Sequence, residues 1–128
     1  MNLNERMNQE KKIILDGGTG TEIQRLGGVM SSAWGALANI ESPDVVLKVH
    51  QNHIKAGCEI ITTNTFSTCR HALDAIGHGN QTSKINSEAV KLAQKAIDTT
   101  GKDRNIFIAG SMSNFFSLLE NEFRPDPK

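Results

Sequence analysis

Three short apolar runs recur along the chain at nearly equal intervals, and small polar residues follow each of them. The runs occupy residues 13–15, 59–63 and 105–109. Apolar runs of this length are typical of strands in a parallel sheet that is covered on both faces. Longer segments with helical spacing separate the runs, which is the βαβ order of α/β proteins. The pattern therefore predicts an α/β fold with three parallel strands.

Two helices are marked by their ends as well as by their apolar spacing. The first is expected to begin with Ser42-Pro43-Asp44, a good capping sequence, and to end at Gly57. The second is expected over about residues 84–99, with Gly101 as its stop. Residues 77–80 between them are predicted to form a loop. The expected core-facing residues are Val45, Val46, Val49 and Ala56 in the first helix and Ile85, Ala89, Val90, Ala93, Ala96 and Ile97 in the second.

The number of strands is small for an independent domain. Three parallel strands leave exposed edges and half-covered faces, and the carboxyl end, residues 114–128, contains no further strand pattern. A complete (β/α)₈ barrel needs about 250 residues. We therefore interpret residues 12–128 as the opening portion, about three βα units, of a TIM (β/α)₈ barrel, preceded by a polar N-terminal extension at residues 1–11.

Composition and charge exclude several classes of function. Lys plus Arg and Asp plus Glu both number 14, and the chain has one Trp and no Tyr, which argues against a nucleic-acid partner. No apolar stretch approaches the ~20 residues of a membrane span, and the amino end lacks the apolar core of a secretory signal. Two cysteines do not make a disulfide framework, so the composition favours a reduced, cytoplasmic protein.

The first strand runs into the glycine-rich turn Asp16-Gly17-Gly18-Thr19-Gly20-Thr21-Glu22. Neither nucleotide-binding pattern fits, because Ile23 stands where G-x-G-x-x-G needs glycine and no Gly-Lys-Ser/Thr follows. The backbone amides of such a turn suit a carboxylate, and Asp16 suits an ammonium group. The turn therefore predicts a site for the two ends of an α-amino acid. The alternative is a structural turn in which Asp16 caps a helix.

The other two strand ends carry small polar residues as well. Asn64, Thr65 and Phe66 follow the second strand, and Gly110 and Ser111 follow the third. Because the carboxyl ends of parallel strands meet at one rim, these residues are candidate ligand contacts. The alternative for the second strand end is a helix-capping turn.

Trp34 lies in the long connection between the first turn and the first helix. It is either a loop anchor or a rim residue that covers the donor side of the substrate.

Neither a metal site nor a catalytic nucleophile is predicted from these residues. His50 and His53 have the spacing of a ligand pair, but no third ligand is near and their helix should lie away from the rim. Cys69 has no histidine or aspartate placed to activate it, and Cys58 falls before the second strand, at the wrong end. Ordinary burial or placement on a helix face is the simpler interpretation of both cysteines.

The residues from Lys12 to about Asn114 together resemble the amino-terminal part of the homocysteine S-methyltransferases. The resemblance lies in the turn 16–22, Trp34, Ser42-Pro43 with Val49-His50, and Ala56-Gly57-Cys58-Glu59-Ile60-Ile61-Thr62-Thr63-Asn64-Thr65-Phe66. It is greatest for the branch that uses S-methylmethionine or S-adenosylmethionine as methyl donor. It implies a TIM barrel enzyme of methionine biosynthesis in which zinc, held by three cysteines, binds homocysteine as thiolate.

The resemblance also implies roles for the candidate residues. The positions of Asp16 and the adjoining glycines would grip the amino-acid end of homocysteine, and residues 64–66 and 110–111 would lie at the same rim. The family's zinc cysteines come from later strands, so no zinc is expected to bind this chain and no catalytic residue is assigned. We expect a truncated form that is inactive alone. The alternatives are a non-catalytic partial-barrel binding module and a betaine- or cobalamin-dependent family member.

Overall fold

The computed structural model describes residues 1–113, which form helices of 4 to 19 residues and a small parallel sheet. Residues 114–128, where the sequence predicts no further strand, lie outside the described residues. The elements in chain order are α1 (Leu3–Met7), α2 (Thr19–Arg25), α3 (Ala38–Glu41), α4 (Pro43–Lys55), β1 (Ile60–Thr62), α5 (Arg70–Asp74), a 3₁₀ turn (Gly79–Gln81), α6 (Thr82–Thr100) and β2 (Phe107–Ala109).

The sheet has the predicted parallel crossover. β1 and β2 pair in parallel, with Ile61 opposite Ile108, and α6 lies between them in the chain. The segment before the glycine-rich turn lies on the other side of β1, where Leu15 forms a parallel bridge to Ile60. The amide of Asp16 donates to the carbonyl of Ile60 at 3.0 Å. All three apolar runs therefore point their carboxyl ends in the same direction.

The prediction of a fully buried strand at residues 13–15 is wrong. Only Leu15 has a bridge, and the exposed fractions of Ile14 and Leu15 are 56% and 62%. The segment is the edge of the described sheet, and within residues 1–113 the side chains of Ile14 and Leu15 are exposed, whereas Ile13 is partly buried. The strands at 59–63 and 105–109 are confirmed, but they are shorter than predicted.

Helix α4 is confirmed with two corrections. Val46 and Val49 are fully buried, and Gly57 has the left-handed φ of +108° that favours glycine after a helix. Ser42 stands at the N-cap position, but its hydroxyl accepts from the amide of Val29 at 3.0 Å and does not cap the helix. Ala56 is exposed because the helix ends at Lys55.

Helix α6 is confirmed and extends slightly beyond its predicted ends. Ile85, Ala89 and Ala93 are fully buried, whereas Val90 is 49% exposed because it lies one step around the helix from Ala89. The predicted loop at 77–80 is wrong in part, since its second half begins the 3₁₀ turn. No helix among residues 1–113 is long and apolar enough to cross a membrane.

The core lies where α4 packs against α6 and where both helices face the sheet. Two of its apolar clusters join these elements, one around Val46 and Val49 and one around Ile54 and Ile61. At the carboxyl end of α4, the Arg104 guanidinium donates to the carbonyls of Ile54 and Cys58, at 2.5 and 2.7 Å.

The N-terminal extension contains a helix that is tied to the sheet. Arg6 of α1 is only 6% exposed and makes a two-pronged ion pair with Glu59, at 2.6 and 2.8 Å. The same guanidinium donates to the carbonyls of Lys11 and Lys12. The hydrogen bonds from Arg6 lower the pKa of Glu59, and those to Glu59 raise the pKa of Arg6. The ion pair fixes α1 at the amino end of β1.

Candidate functional site

A cavity of about 460 Å³ opens at the carboxyl ends of β1 and β2, next to the amino end of α2. Its lining comes from all three strand ends and from the long connection before α4. The predicted site residues that line it are Gly18, Thr19, Trp34, Asn64, Phe66 and Ser111. Asp16, Gly17, Thr65 and Gly110 are not in the lining, although each is next to a lining residue in the chain or bonded to one. The structure therefore brings the three predicted rim segments together around one cavity.

Asp16 is fixed against the second strand end. Its Oδ2 accepts from the amide of Thr62 at 2.6 Å, and its Oδ1 accepts from the Thr62 hydroxyl at 2.9 Å. A carboxylate has about four acceptor positions, so these two bonds leave acceptor capacity for a ligand. The N-cap of α2 is Gly18, so Asp16 does not cap that helix. Asp16 is half-buried and lies beside the cavity.

Asn64 belongs to a small amide network in the cavity wall. Its Nδ2 donates to the Gly35 carbonyl at 2.8 Å and to Asn39 Oδ1 at 3.0 Å. Asn39 Nδ2 donates back to the Asn64 carbonyl at 2.9 Å and more weakly to the Ile85 carbonyl at 3.5 Å. Asn39 is 1% exposed, and sequence reasoning missed it. A single amide within the apolar stretch 36–40 was the available signal.

Thr65 and Ser111 join the second and third strand ends. The Thr65 hydroxyl donates to the Ser111 carbonyl at 2.7 Å and shares a 2.8 Å hydrogen bond with Thr63. The amide of Ser111 reaches the Thr63 hydroxyl at 3.4 Å. Thr65 therefore connects the two strand ends. Of these three residues, Thr63 and Ser111 line the cavity and Thr65 does not.

The aromatic wall of the cavity is a stacked pair. The rings of Trp34 and Phe66 lie 5.5 Å apart between centroids and 7° from parallel. Both side chains are about half exposed, at 47% and 45%. Trp34 has a left-handed φ of 51°, which is uncommon outside glycine and marks a tightly held turn. Trp34 is therefore a rim residue, as one of its two predicted interpretations proposed, although its role toward a ligand stays a prediction.

Two histidines of α4 lie behind the glycine-rich turn. His53 Nε2 is 3.3 Å from the position that a Cβ would take on Gly17, so the ring packs against the turn. His50 is fully buried, and neither of its ring nitrogens has a hydrogen-bond partner among the described residues. Burial lowers the pKa of His50 to about 4, the nearby Asp16 opposes this shift, and His53 adds to it. The imidazole of His50 is therefore neutral at physiological pH.

The two cysteines lie in different surroundings, and they do not form a disulfide with each other. Cys58 packs in the core beside Ile54 and Ile61, and burial raises its pKa. The expectation that no histidine lies beside Cys69 is wrong, since its Sγ is 3.5 Å from His71 Nε2. The two residues are brought together because α5 begins directly after Cys69.

Residues 1–113 contain no group of three His, Cys, Asp or Glu side chains that could hold a metal ion. They therefore do not fit the three-cysteine zinc site that the sequence resemblance implies. What the described arrangement can do is bind and orient a small polar molecule.

Several lining residues were not predicted from the sequence. Gln24 of α2, Met30 and Gly35 are among them. They come from a connection without strand or long-helix periodicity, and no pattern in the sequence marks them. None of the lining residues carries a formal charge. Asp16 lies at the edge through its bonds to Thr62, and Glu22 and Arg25, which pair with each other, follow the lining residues Thr21 and Gln24 in the chain.

Comparisons to known proteins identify the family of this chain. A family model described as homocysteine S-methyltransferase matches residues 13–127, and the chain belongs to this family. Betaine–homocysteine S-methyltransferase 1 of Bos taurus is 28% identical over 121 residues, which cover 90% of this chain and 28% of that protein. Homocysteine S-methyltransferase 2 of Zea mays is 28% identical over 119 residues, covering 84% of this chain and 35% of that protein. The resemblance inferred from the sequence is confirmed.

A solved structure shows the same fold. The metallated form of the homocysteine methyltransferase MmuM from Escherichia coli superimposes with a TM-score of 0.74 at 24% identity. The match covers 89% of this chain and 42% of that structure. The described residues are thus a mixed α/β unit that resembles the homocysteine methyltransferase fold. The chain spans 28% and 35% of the lengths of the two curated relatives named above.

Proposed function

We propose that this chain carries the homocysteine-binding side of a homocysteine S-methyltransferase. The reaction transfers a methyl group from a sulfonium donor, S-methylmethionine or S-adenosylmethionine, to the homocysteine sulfur and gives methionine. The observation that supports this most strongly is the cavity at the strand ends, which gathers Gly18, Asn64 and Ser111 from three separate segments. Membership of the methyltransferase family supports the reaction class.

The proposed binding mode follows from the chemistry of the cavity edge. Asp16, already fixed to Thr62, accepts from the ammonium group of homocysteine with its remaining lone pairs. The turn at Gly18 and Thr19 offers backbone amides at the start of α2 to the carboxylate of the same substrate. The side chain then extends over the neutral lining, which leaves the sulfur inside the cavity.

The donor is proposed to sit beside the stacked aromatic pair. Trp34 and Phe66 both line the cavity, and their stacking covers one face of each ring and leaves the other face for a ligand. A sulfonium or quaternary ammonium centre is attracted to such a face by about 0.5–2 kcal/mol. The pair therefore suits betaine as well as a sulfonium, and the relatives named above include a betaine enzyme. Titrating each donor against the chain, with the fluorescence of Trp34 as the readout, would show whether betaine or a sulfonium donor binds more tightly and so assign the donor branch of the family.

The 128 residues by themselves are proposed not to turn over. A thiol with a pKa of about 8.5 is mostly protonated at neutral pH, and the described residues do not fit a metal centre that would hold it as thiolate. Zinc analysis of the purified chain should give much less than one ion per chain, and a methyl-transfer assay should show no methionine. One zinc ion per chain together with methionine formation would refute this part of the proposal. We also propose a reduced, cytoplasmic setting, which agrees with two cysteines that do not form a disulfide with each other.

Isothermal titration with L-homocysteine tests the binding proposal directly. The Asp16→Asn variant keeps an acceptor for Thr62 but removes the charge, and it should weaken binding by about tenfold or more. Asp103→Asn, at an exposed position outside the cavity lining, is the matched control and should bind as the wild type does. Absence of binding by the wild type, or equal affinity of the two variants, would overturn the proposed site.

A second function is favoured by one observation, the exposed apolar edge at Ile14 and Leu15. An uncovered sheet edge suits a non-catalytic binding or assembly module that another chain completes. A cooperatively folding, monodisperse oligomer in analytical ultracentrifugation, without homocysteine binding, would favour this reading over the methyltransferase one.

A further inference from the structure

We propose that Asn39 is a positioning residue that holds Asn64 with its side-chain oxygen toward the cavity, so that the site selects ligands carrying an ammonium group. This inference rests on the proposed function and names the feature that would recognise the amino end of its substrate. Asn39 lies in α3, outside the cavity lining, and acts through Asn64.

The orientation of Asn64 is set by its neighbours. Its Nδ2 has two hydrogens, and both have acceptors, the Gly35 carbonyl at 2.8 Å and Asn39 Oδ1 at 3.0 Å. A flipped amide would put Oδ1 against the Gly35 carbonyl, which can only accept, and two acceptors would then face each other. The Nδ2 group is therefore committed to the protein.

The same contacts leave one polar atom of the Asn64 side chain without a partner. The backbone carbonyl of Asn64 accepts from Asn39 Nδ2 at 2.9 Å, whereas Oδ1 receives no hydrogen bond within residues 1–113. Because Asn64 lines the cavity, this oxygen is the group that it offers to a ligand. A carbonyl oxygen accepts only, so its partner must be a donor.

The donor that fits best is an ammonium. Asp16 is bonded to the lining residue Thr62, two residues before Asn64 in the same segment, so its carboxylate is held at the segment that also carries the Asn64 amide oxygen. Two acceptors near one another attract a cation with several N–H bonds and are poorly satisfied by a ligand without one. Asn39 is 1% exposed and bonds to two other segments, so it can hold this arrangement without touching the ligand.

The test compares two ligands that differ only in the amino group, L-homocysteine and 4-sulfanylbutanoate, by isothermal titration with the full 128-residue chain. The wild type should prefer homocysteine by about tenfold or more. Asn39→Leu, which has a similar volume and no polar atoms, should lose most of this preference while its affinity for 4-sulfanylbutanoate changes by less than about twofold. Asn80→Ala, at an exposed position of the 3₁₀ turn, is the control.

The outcomes separate this inference from the proposed function. Homocysteine binding by the wild type with an unchanged ligand preference in Asn39→Leu, or with equal weakening toward both ligands, overturns the positioning role and leaves the function standing. Binding of neither ligand by the wild type overturns the function and this inference with it. Where Asn39→Leu fails to fold by circular dichroism, Asn64→Ala takes its place. Loss of preference in that variant supports the inference, and retained preference overturns it.

Discussion

Lowering the pH from about 7.5 to about 5 is expected to destabilise this protein through the buried imidazole of His50. His50 is fully buried in α4, and burial lowers its pKa from 6.5 to about 4. The carboxylate of Asp16 favours the protonated form, and His53 disfavours it, but neither reverses the effect of burial. The folded chain therefore keeps His50 neutral in a pH range where the unfolded chain protonates it.

The sign and the size of the effect follow from these two pKa values. Between about pH 6.5 and about pH 4 the unfolded state binds more protons, so the free energy of unfolding falls as the pH falls. One proton contributes about 1.4 kcal/mol per pH unit, which gives a loss of about 2 kcal/mol at about pH 5. The lowered pKa values of Glu22 and Glu59 act from about 4.5 downward, so most of their effect lies below this window.

Urea unfolding at the two pH values measures the loss, and His50→Leu isolates its source. Both ring nitrogens of His50 are without partners among the described residues, so an apolar side chain of similar size should be tolerated at neutral pH. The variant should lose about 2 kcal/mol less than the wild type on acidification. His71→Gln, at an exposed histidine, is the control and should retain the full loss. An equal loss in His50→Leu and the wild type would refute the assignment.

Three further outcomes are expected. Gly28→Ala should lower the free energy of unfolding in urea by about 1–3 kcal/mol, because its Cβ would lie 2.6 Å from Ile23 Cγ2. Gly20→Ala, which has open space in α2, should raise the free energy of unfolding by about 0.5–1 kcal/mol. Equal effects of the two substitutions would contradict the packing around Gly28. Arg6→Ala should release α1, seen as faster amide hydrogen exchange over residues 2–12 with unchanged exchange in α6, and uniform exchange changes would argue against a local anchor. The single tryptophan, Trp34, should change its fluorescence as homocysteine or a sulfonium donor saturates the cavity, and an invariant emission under saturating ligand would place binding elsewhere.

The order of the long helices and the strands could be predicted because helix ends and buried helix faces are marked by nearby residues in the sequence. Gly57 ends α4 as its position in the sequence indicates, and the spacing of Ile85 and Ala89 marks the buried face of α6. The short helices α2, α3 and α5 were not predicted, because four to seven residues are too few to show a helical period.

The candidate site likewise contains residues that could be predicted from the sequence and residues that could not. Strand ends direct small polar residues to a common rim, so Asn64 and Ser111 could be placed near each other from the sequence. Their hydrogen-bond partners could not, because Asn39 and Gly35 reach Asn64 across 25 and 29 positions of chain through tertiary packing alone. The exposure of Ile14 also escaped prediction, since an apolar run shows preference for burial but not whether a neighbour exists to cover it.

The two hydrogen bonds between Asp16 and Thr62 also bear on how fast and how selectively the cavity would fill. Fixing a mobile side chain at the moment of binding costs about 0.5–1.5 kcal/mol, and in this protein that ordering has already occurred during folding. A ligand would thus meet a carboxylate whose rotamer is set, so free and bound forms should differ little at this edge. Differences in affinity among related ligands should then appear mainly in their residence times.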